Sequence, residues 1–218
     1  MKPRIIFKMD DFFDVNNRVR RLDLFIRLFS IKITWGIVGR EFEGLDKHDI
    51  AWIKSAMDSG LYFFWNHGWT HEMDEFKPLS TDEAKRHIEL TQKVVRERCG
   101  LMMTTFGAPC NAISSTTLEA LEAVQDIQYW YYGNCRFSRT NFQRELELEY
   151  PLFHPRVVPF IRNLRKISSR AGETPRVLVV QGHPNAWHTT EFVNFYLICL
   201  YLKLCGYKTI FPSEIDEP

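Results

Sequence analysis

The chain has 218 residues, 45% of them hydrophobic, enough to bury a core of ordinary size, and α/β barrels of this length are routinely single domains. Its 28 basic and 27 acidic residues leave a formal charge of +1, which excludes a global field that would recruit nucleic acid or an anionic membrane. The five cysteines, at 99, 110, 135, 199 and 205, are odd in number and lack C-x-x-C spacing, which speaks against a disulfide framework or zinc ribbon and for a reducing compartment.

Residues 4 to 9, "RIIFKM", form a β-rich run that ends at Asp10 and Asp11. The first thirteen residues thus meet two aspartates before a signal-peptide core could form. "VNNRVRRLDLFIRLF" then recurs apolar at helical spacing, and its basic cluster reads as a solvated helix face. "KITWGIVG" (32 to 39) is a second buried strand, and "LDKHDIAWIKSAMDSG" a helix stopped by Gly60. The third strand, "LYFFWN", runs into "HGWTH". A capping box from Ser80 to Glu83 opens the next helix, which Gly100 closes.

Beyond it, "MMTTFGAP" is strand-like, "SSTTLEALEAV" helical, "IQYWYYGN" strand-like and "RVLVVQG" an apolar strand. Residues 136 to 175, with Pro151, Pro155 and Pro159, read as an irregular excursion. The last helix, "TEFVNFYLICLYLKLCG", is broken by Asn194 and Lys203 and falls short of the roughly 18 apolar residues a spanning helix needs, so the chain reads as soluble and cytoplasmic. Strands alternating with helices, several apolar on both faces, predict parallel β/α units over 1–218 as one domain.

In such folds functional groups gather where strands end. Asp10 and Asp11 follow strand one, His67 and His71 strand three, Pro109 the next, and His183 follows "RVLVVQG". One aspartate and two histidines suffice to hold a divalent metal with a position left open. Neighbours on an extended segment point in opposite directions, so one carboxylate can hold the metal while the other stands beside water as base. His183, with an unperturbed pKa near neutrality, can supply the acid. His48, His87, His154 and His188 read as surface or packing residues without partners.

These residues resemble a family. "FKMDDF" and "HGWTH" look like the first two motifs of NodB-like polysaccharide deacetylases, the fourth family of carbohydrate esterases; "FGAPCN" is similar to the third motif and "VVQGHP" to the final histidine motif. The resemblance spans about residues 4 to 187. It implies a distorted (β/α) barrel of about seven parallel strands, one divalent metal, commonly zinc, and hydrolysis of an N-acetyl group on a sugar of a polysaccharide or its precursor. Carried over by motif, Asp11, His67 and His71 bind the metal, Asp10 is the general base and His183 the general acid. Pro109 and Cys110 fall in the substrate-binding third motif, with a backbone N–H near Cys110 facing the oxyanion. Trp69 and Trp187, neighbours of the site histidines, are candidate sugar-stacking walls.

Two departures stand out. Gly107 occupies the place of an arginine that orients the base, and Gln181 that of a leucine. A fourth motif, Asp then Trp, is echoed by Asp126 and Trp130. The absent arginine motivates an alternative, a catalytically inactive carbohydrate-binding or regulatory relic of the same fold. A two-His, one-carboxylate set also suits a non-haem iron oxygenase, against which the parallel β/α pattern argues.

Overall fold

The computed structural model describes residues 3–132, 137–143, 146–149, 153–170 and 177–215, the side chains of 168–170 excepted. Cys135 and much of the stretch 136–175 lie outside the described residues. In chain order the elements are β1 (Arg4–Phe12), α1 (Asn17–Phe29), β2 (Ile33–Ile37), α2 (Gly39–Glu43), α3 (Lys47–Asp58), β3 (Tyr62–Asn66), α4 (Thr81–Cys99) and β4 (Thr105–Phe106). They continue with α5 (Ser115–Ala123), β5 (Tyr129–Tyr131), β6 (Thr140–Phe142), α6 (Val157–Arg170), β7 (Val177–Gly182), α7 (Thr189–Leu204) and β8 (Lys208–Thr209).

Seven strands run in the order β6-β5-β4-β3-β2-β1-β7, all parallel, and β8 adds to β1 at Arg4 and Ile5. This is the distorted (β/α) barrel expected from the alternating pattern, curled into a half-barrel with helices outside. The strand residues alternate as the pleat demands. Ile5, Phe7, Met9, Ile33, Trp35, Tyr62, Phe64, Leu178 and Val180 pack outward against the helices. Ile6, Trp65, Tyr131, Tyr132, Phe142 and Val179 form a second cluster on the inner side.

The helix ends follow the sequence signals. Asn16 caps α1 by accepting from the backbone N–H of Arg18 and Val19, and the Ser80–Glu83 box closes on both bonds. Two elements differ from the reading of the sequence. The excursion contains α6 in spite of Pro159, because that proline sits in the first turn, where an N–H has no intrahelical acceptor to lose. And β1 does not stop at residue 9 but carries both aspartates to Phe12.

Candidate active site

That extension decides where the carboxylates go. Between Met9 and Phe12 the register of β1 against β2 shifts, and Asp11 takes a left-handed φ of 62°. Plain alternation would send the two carboxylates to opposite faces. The bulge instead leaves both beside His67: its Nε2 is 3.2 Å from Asp11 Oδ1 and 3.8 Å from Asp10 Oδ2. The Asn185 amide donates to the Asp11 carbonyl and fastens the turn from the β7 side.

His67 lies fully buried at the end of β3. Its Nδ1 is 2.7 Å from the Gly107 carbonyl, an atom that can only accept, so Nδ1 carries a proton and Nε2 is the nitrogen turned toward Asp11. His71 reaches the same place through a loop gathered around Glu75. The Glu75 carboxylate accepts from the backbone N–H of Trp69, Thr70 and His71 at 2.9, 3.2 and 2.9 Å, and lies 2.7 Å from His87 Nδ1. Gly68 makes this possible: its φ is +81°, and a Cβ there would lie 2.6 Å from a Glu75 oxygen. His87 therefore has a partner, contrary to the reading of its helical context, as does His154, 3.2 Å from Glu191. His71 itself is held at φ 58°.

Asp11, His67 and His71 each offer one ligand atom, and these atoms all lie within 4.8 Å of one another. His71 Nε2 is 2.7 Å from Asp11 Oδ1. Yet Asp11 Oδ1 and His67 Nε2 are buried without an aligned hydrogen-bond partner. Buried acceptors in that state are costly unless something else takes their lone pairs, and a cation does so. Burial tends to raise the Asp11 carboxyl, but the imidazoles of His67 and His71 outweigh it and hold the group well below the usual carboxylate range. Two nitrogens and an oxygen suit a borderline divalent ion such as zinc.

The second half of the site surrounds Asp10, which is almost wholly buried. The Lys8 ammonium donates to both its oxygens at 2.6 and 2.7 Å, and the Gln181 amide to Oδ2 at 2.6 Å. Lys8 is fully buried too, its Nζ 4.8 Å from the Trp65 ring centroid and 5.1 Å from that of Tyr132. An arginine at Gly107 has no room: its Cβ alone would lie 2.8 Å from the Trp65 ring. The cation missing from the third motif is thus delivered from β1, two residues before the carboxylate it holds. Gln181, the other departure, is part of the same clamp.

His183 faces this pair from the end of β7, Nε2 3.8 Å from Asp10 Oδ2 and 3.2 Å from the Gln181 amide nitrogen. Its Nδ1 lies 2.7 Å from Glu149, whose other oxygen accepts from the His183 backbone N–H at 2.7 Å and from the Trp187 indole at 2.6 Å. Burial lowers the pKa of His183, and Glu149 with the charges of Asp10 and Asp11 overcomes that and raises it. Glu149 went unnoticed in the sequence, lying among the prolines of the least readable stretch. The acid–Trp pair is Glu149 with Trp187, not Asp126 with Trp130. Asp126 is on the surface, 2.8 Å from Arg96, and Trp130 is buried core.

The aromatic walls are also redistributed. Trp187 is fully buried, so its ring has no face for a sugar, and its part is the bond to Glu149. Trp69 is half-buried against α2, where a Cβ on Gly39 would meet its ring at 2.5 Å. Phe13 and Phe153 stand edge-on to His71 and His183 with ring centroids 5.9 and 4.9 Å away. Pro109 is buried in a short 3-10 turn, whereas Cys110 is exposed at φ 55° on the same rim.

The fold defines the class: a NodB-type barrel of the kind found in carbohydrate esterase family 4. No family model and no curated relative matches the sequence, so structure alone carries the likeness. A family 4 acetyl xylan esterase from Clostridium thermocellum, solved in complex with a cobalt ion, superposes with a TM-score of 0.70 over 97% of this chain and 90% of its own, at 17% identity. The peptidoglycan deacetylase PdaC from Bacillus subtilis gives 0.66 over 99% and 91%, at 16% identity. BA3943 from Bacillus anthracis, a CE4 family pseudoenzyme, gives 0.67 over 99% of this chain and 66% of its own, at 16% identity.

Proposed function

We propose that residues 1–218 form a single catalytic domain that removes an N-acetyl group from a sugar of a polysaccharide or its precursor, using one divalent metal, with zinc the best match to the donor set. The observation that carries this reading is the meeting of two sets at one rim: a cation-ready triad, Asp11, His67 and His71, and an acid–base pair, Asp10 and His183, each member of the pair held by its own buried partner. A divalent ion held by the triad would polarise the amide carbonyl and make water a stronger nucleophile near neutral pH.

The chain's own residues supply the rest. Asp10, kept in place by Lys8 and Gln181, takes the proton from the attacking water. His183, oriented by Glu149, gives a proton to the departing sugar nitrogen. The backbone N–H of the exposed Cys110 is the donor for the developing oxyanion. The half-buried Trp69, with Phe13 and Phe153, borders the sugar. A cytoplasmic precursor in surface-polysaccharide assembly is the substrate class we favour, a setting supported by the free thiols of Cys99, Cys110, Cys199 and Cys205. Among the described residues no helix is long and apolar enough to cross a membrane.

The likeness to a pseudoenzyme gives the inactive relic a specific footing. Against it stands Lys8, which gives Asp10 a cation from two residues earlier on the same strand. The test is acetate release from N-acetylated oligosaccharides by zinc-loaded protein, alongside elemental analysis. Stoichiometric metal with acetate release supports the enzyme. Sugar binding with metal but no acetate release across a broad panel establishes the relic instead.

A further inference from the structure

The charge balance of the whole chain conceals one flank. Among the described residues nine large apolar side chains are exposed, and six of them lie on the neighbouring outer helices α1, α6 and α7. On α7 the outward positions are Val193, Leu197, Leu200 and Leu204, a helical stripe in which Val193 is 48%, Leu197 47% and Leu204 88% exposed. On α1 they are Leu24 and Leu28, at 73% and 76%.

The two stripes are adjacent. Arg21 lies over the Phe192 ring at 5.5 Å, Phe25 stacks on Tyr196 at 4.0 Å, and Lys203 donates to the Phe29 carbonyl at 3.0 Å, so the helices run side by side in parallel. Leu24 and Leu28 therefore extend the α7 stripe into one apolar strip about 16 Å long at 1.5 Å per residue. Basic residues flank it: Arg20 is exposed on α1, with Arg27 paired to Asp23 beside it, and Arg162 and Arg165 are exposed on α6. The acidic groups nearby are engaged. Asp23 is 2.8 Å from Arg27 and accepts from the Tyr62 hydroxyl at 2.8 Å, while Glu191 pairs with His154 and accepts from the His188 N–H at 3.0 Å.

We propose that this flank docks the protein on the surface of an anionic lipid bilayer, the leucines and valine entering the interface and the arginine rails meeting lipid phosphates. Apolar residues between basic edges are what such a surface selects. A second copy of the chain fits worse, since a two-fold contact through the strip would set like-charged rails against each other. Helices α1 and α7 both begin at the rim of the site, where the Arg18 side chain donates to the Trp187 carbonyl at 3.0 Å. A bilayer along this flank lies at the edge of the cleft. The inference is independent of the deacetylase reading.

The test is co-sedimentation of the whole protein with vesicles of phosphatidylglycerol and phosphatidylcholine in equal parts, with phosphatidylcholine alone as reference. The substitutions are Leu197→Ser with Leu204→Ser, and Arg20→Glu with Arg165→Glu. Light scattering gives the mass in solution, and thermal melting confirms that these exposed substitutions leave the fold intact. Expected are selective binding to the anionic vesicles, a loss of about tenfold in partitioning for each double variant, and weakening by salt. Absence of sedimentation, equal sedimentation with both vesicle types, or binding indifferent to both variants overturns the proposal. So does a dimer that dissociates in the leucine variant, which would assign the strip to a second copy.

Discussion

The two halves of the site are built differently. On the metal side, Asp11 sits on a bulge and His67 and His71 on one strand and its following loop, and Glu75 gathers the loop's own backbone from four to six residues away. On the acid–base side, Lys8 is two residues from Asp10, but the remaining partners come from afar. Gln181 is 171 residues from Asp10, Glu149 is 34 from His183, and Trp187 is 38 from Glu149. A local motif arranges the two imidazoles and β1 adds the carboxylate; holding the buried Asp10 beside the half-buried His183 also takes partners from distant parts of the chain.

Substitutions can break that contrast. The largest effect is expected from His67→Ala with His71→Ala, which should abolish both metal uptake and acetate release while the chain stays folded, read by elemental analysis and circular dichroism. Metal retained in the double variant would overturn the triad. Asp10→Asn should keep the metal and cut acetate release by about 10²- to 10⁴-fold, the usual worth of a positioned base. Full activity in that variant would remove Asp10 from the reaction.

Lys8→Met tests the clamp on Asp10. It leaves the Asp10 carboxylate buried with Gln181 alone, and breaking one side of a buried ion pair costs about 3–5 kcal/mol, measurable by denaturant unfolding. The Lys8→Met loss should shrink when combined with Asp10→Asn; full additivity would mean that the two side chains are not coupled.

Glu149→Gln should lower activity by about 10- to 100-fold, as loss of an orienting partner typically does. The sign of its pH effect is fixed by geometry. Glu149 raises the pKa of His183, the acid must be protonated, and activity falls as pH rises through that pKa. Removing the charge therefore shifts the alkaline limb of the rate profile to lower pH, and an unmoved limb would detach Glu149 from the acid. Smallest of all, Asp126→Ala should change neither acetate release nor stability measurably, because its pair with Arg96 is solvent-exposed.

Much of the fold could be read in advance from periodicity and caps: the Ser80–Glu83 box, the Gly100 stop and the apolar strands all form as expected. The excursion could not, since three prolines mask the helical signal of α6 and a lone glutamate in irregular sequence offers no pattern. Lys8 was hidden in the same way, as one polar residue in an apolar strand.

The sequence by itself determined the order of strand ends and the pairing of His67 with His71, because four residues along one loop keep the two imidazoles close, while the parallel sheet brings Asp11 to them from β1. Only the tertiary structure decided how the base and acid are held. The Trp65 ring fills the space beside Gly107, Gln181 reaches Asp10 from β7, and Glu149 reaches His183 and Trp187. The physical reason is burial: a charge removed from water must find its partner wherever the fold puts one, and that distance is not written in any local pattern.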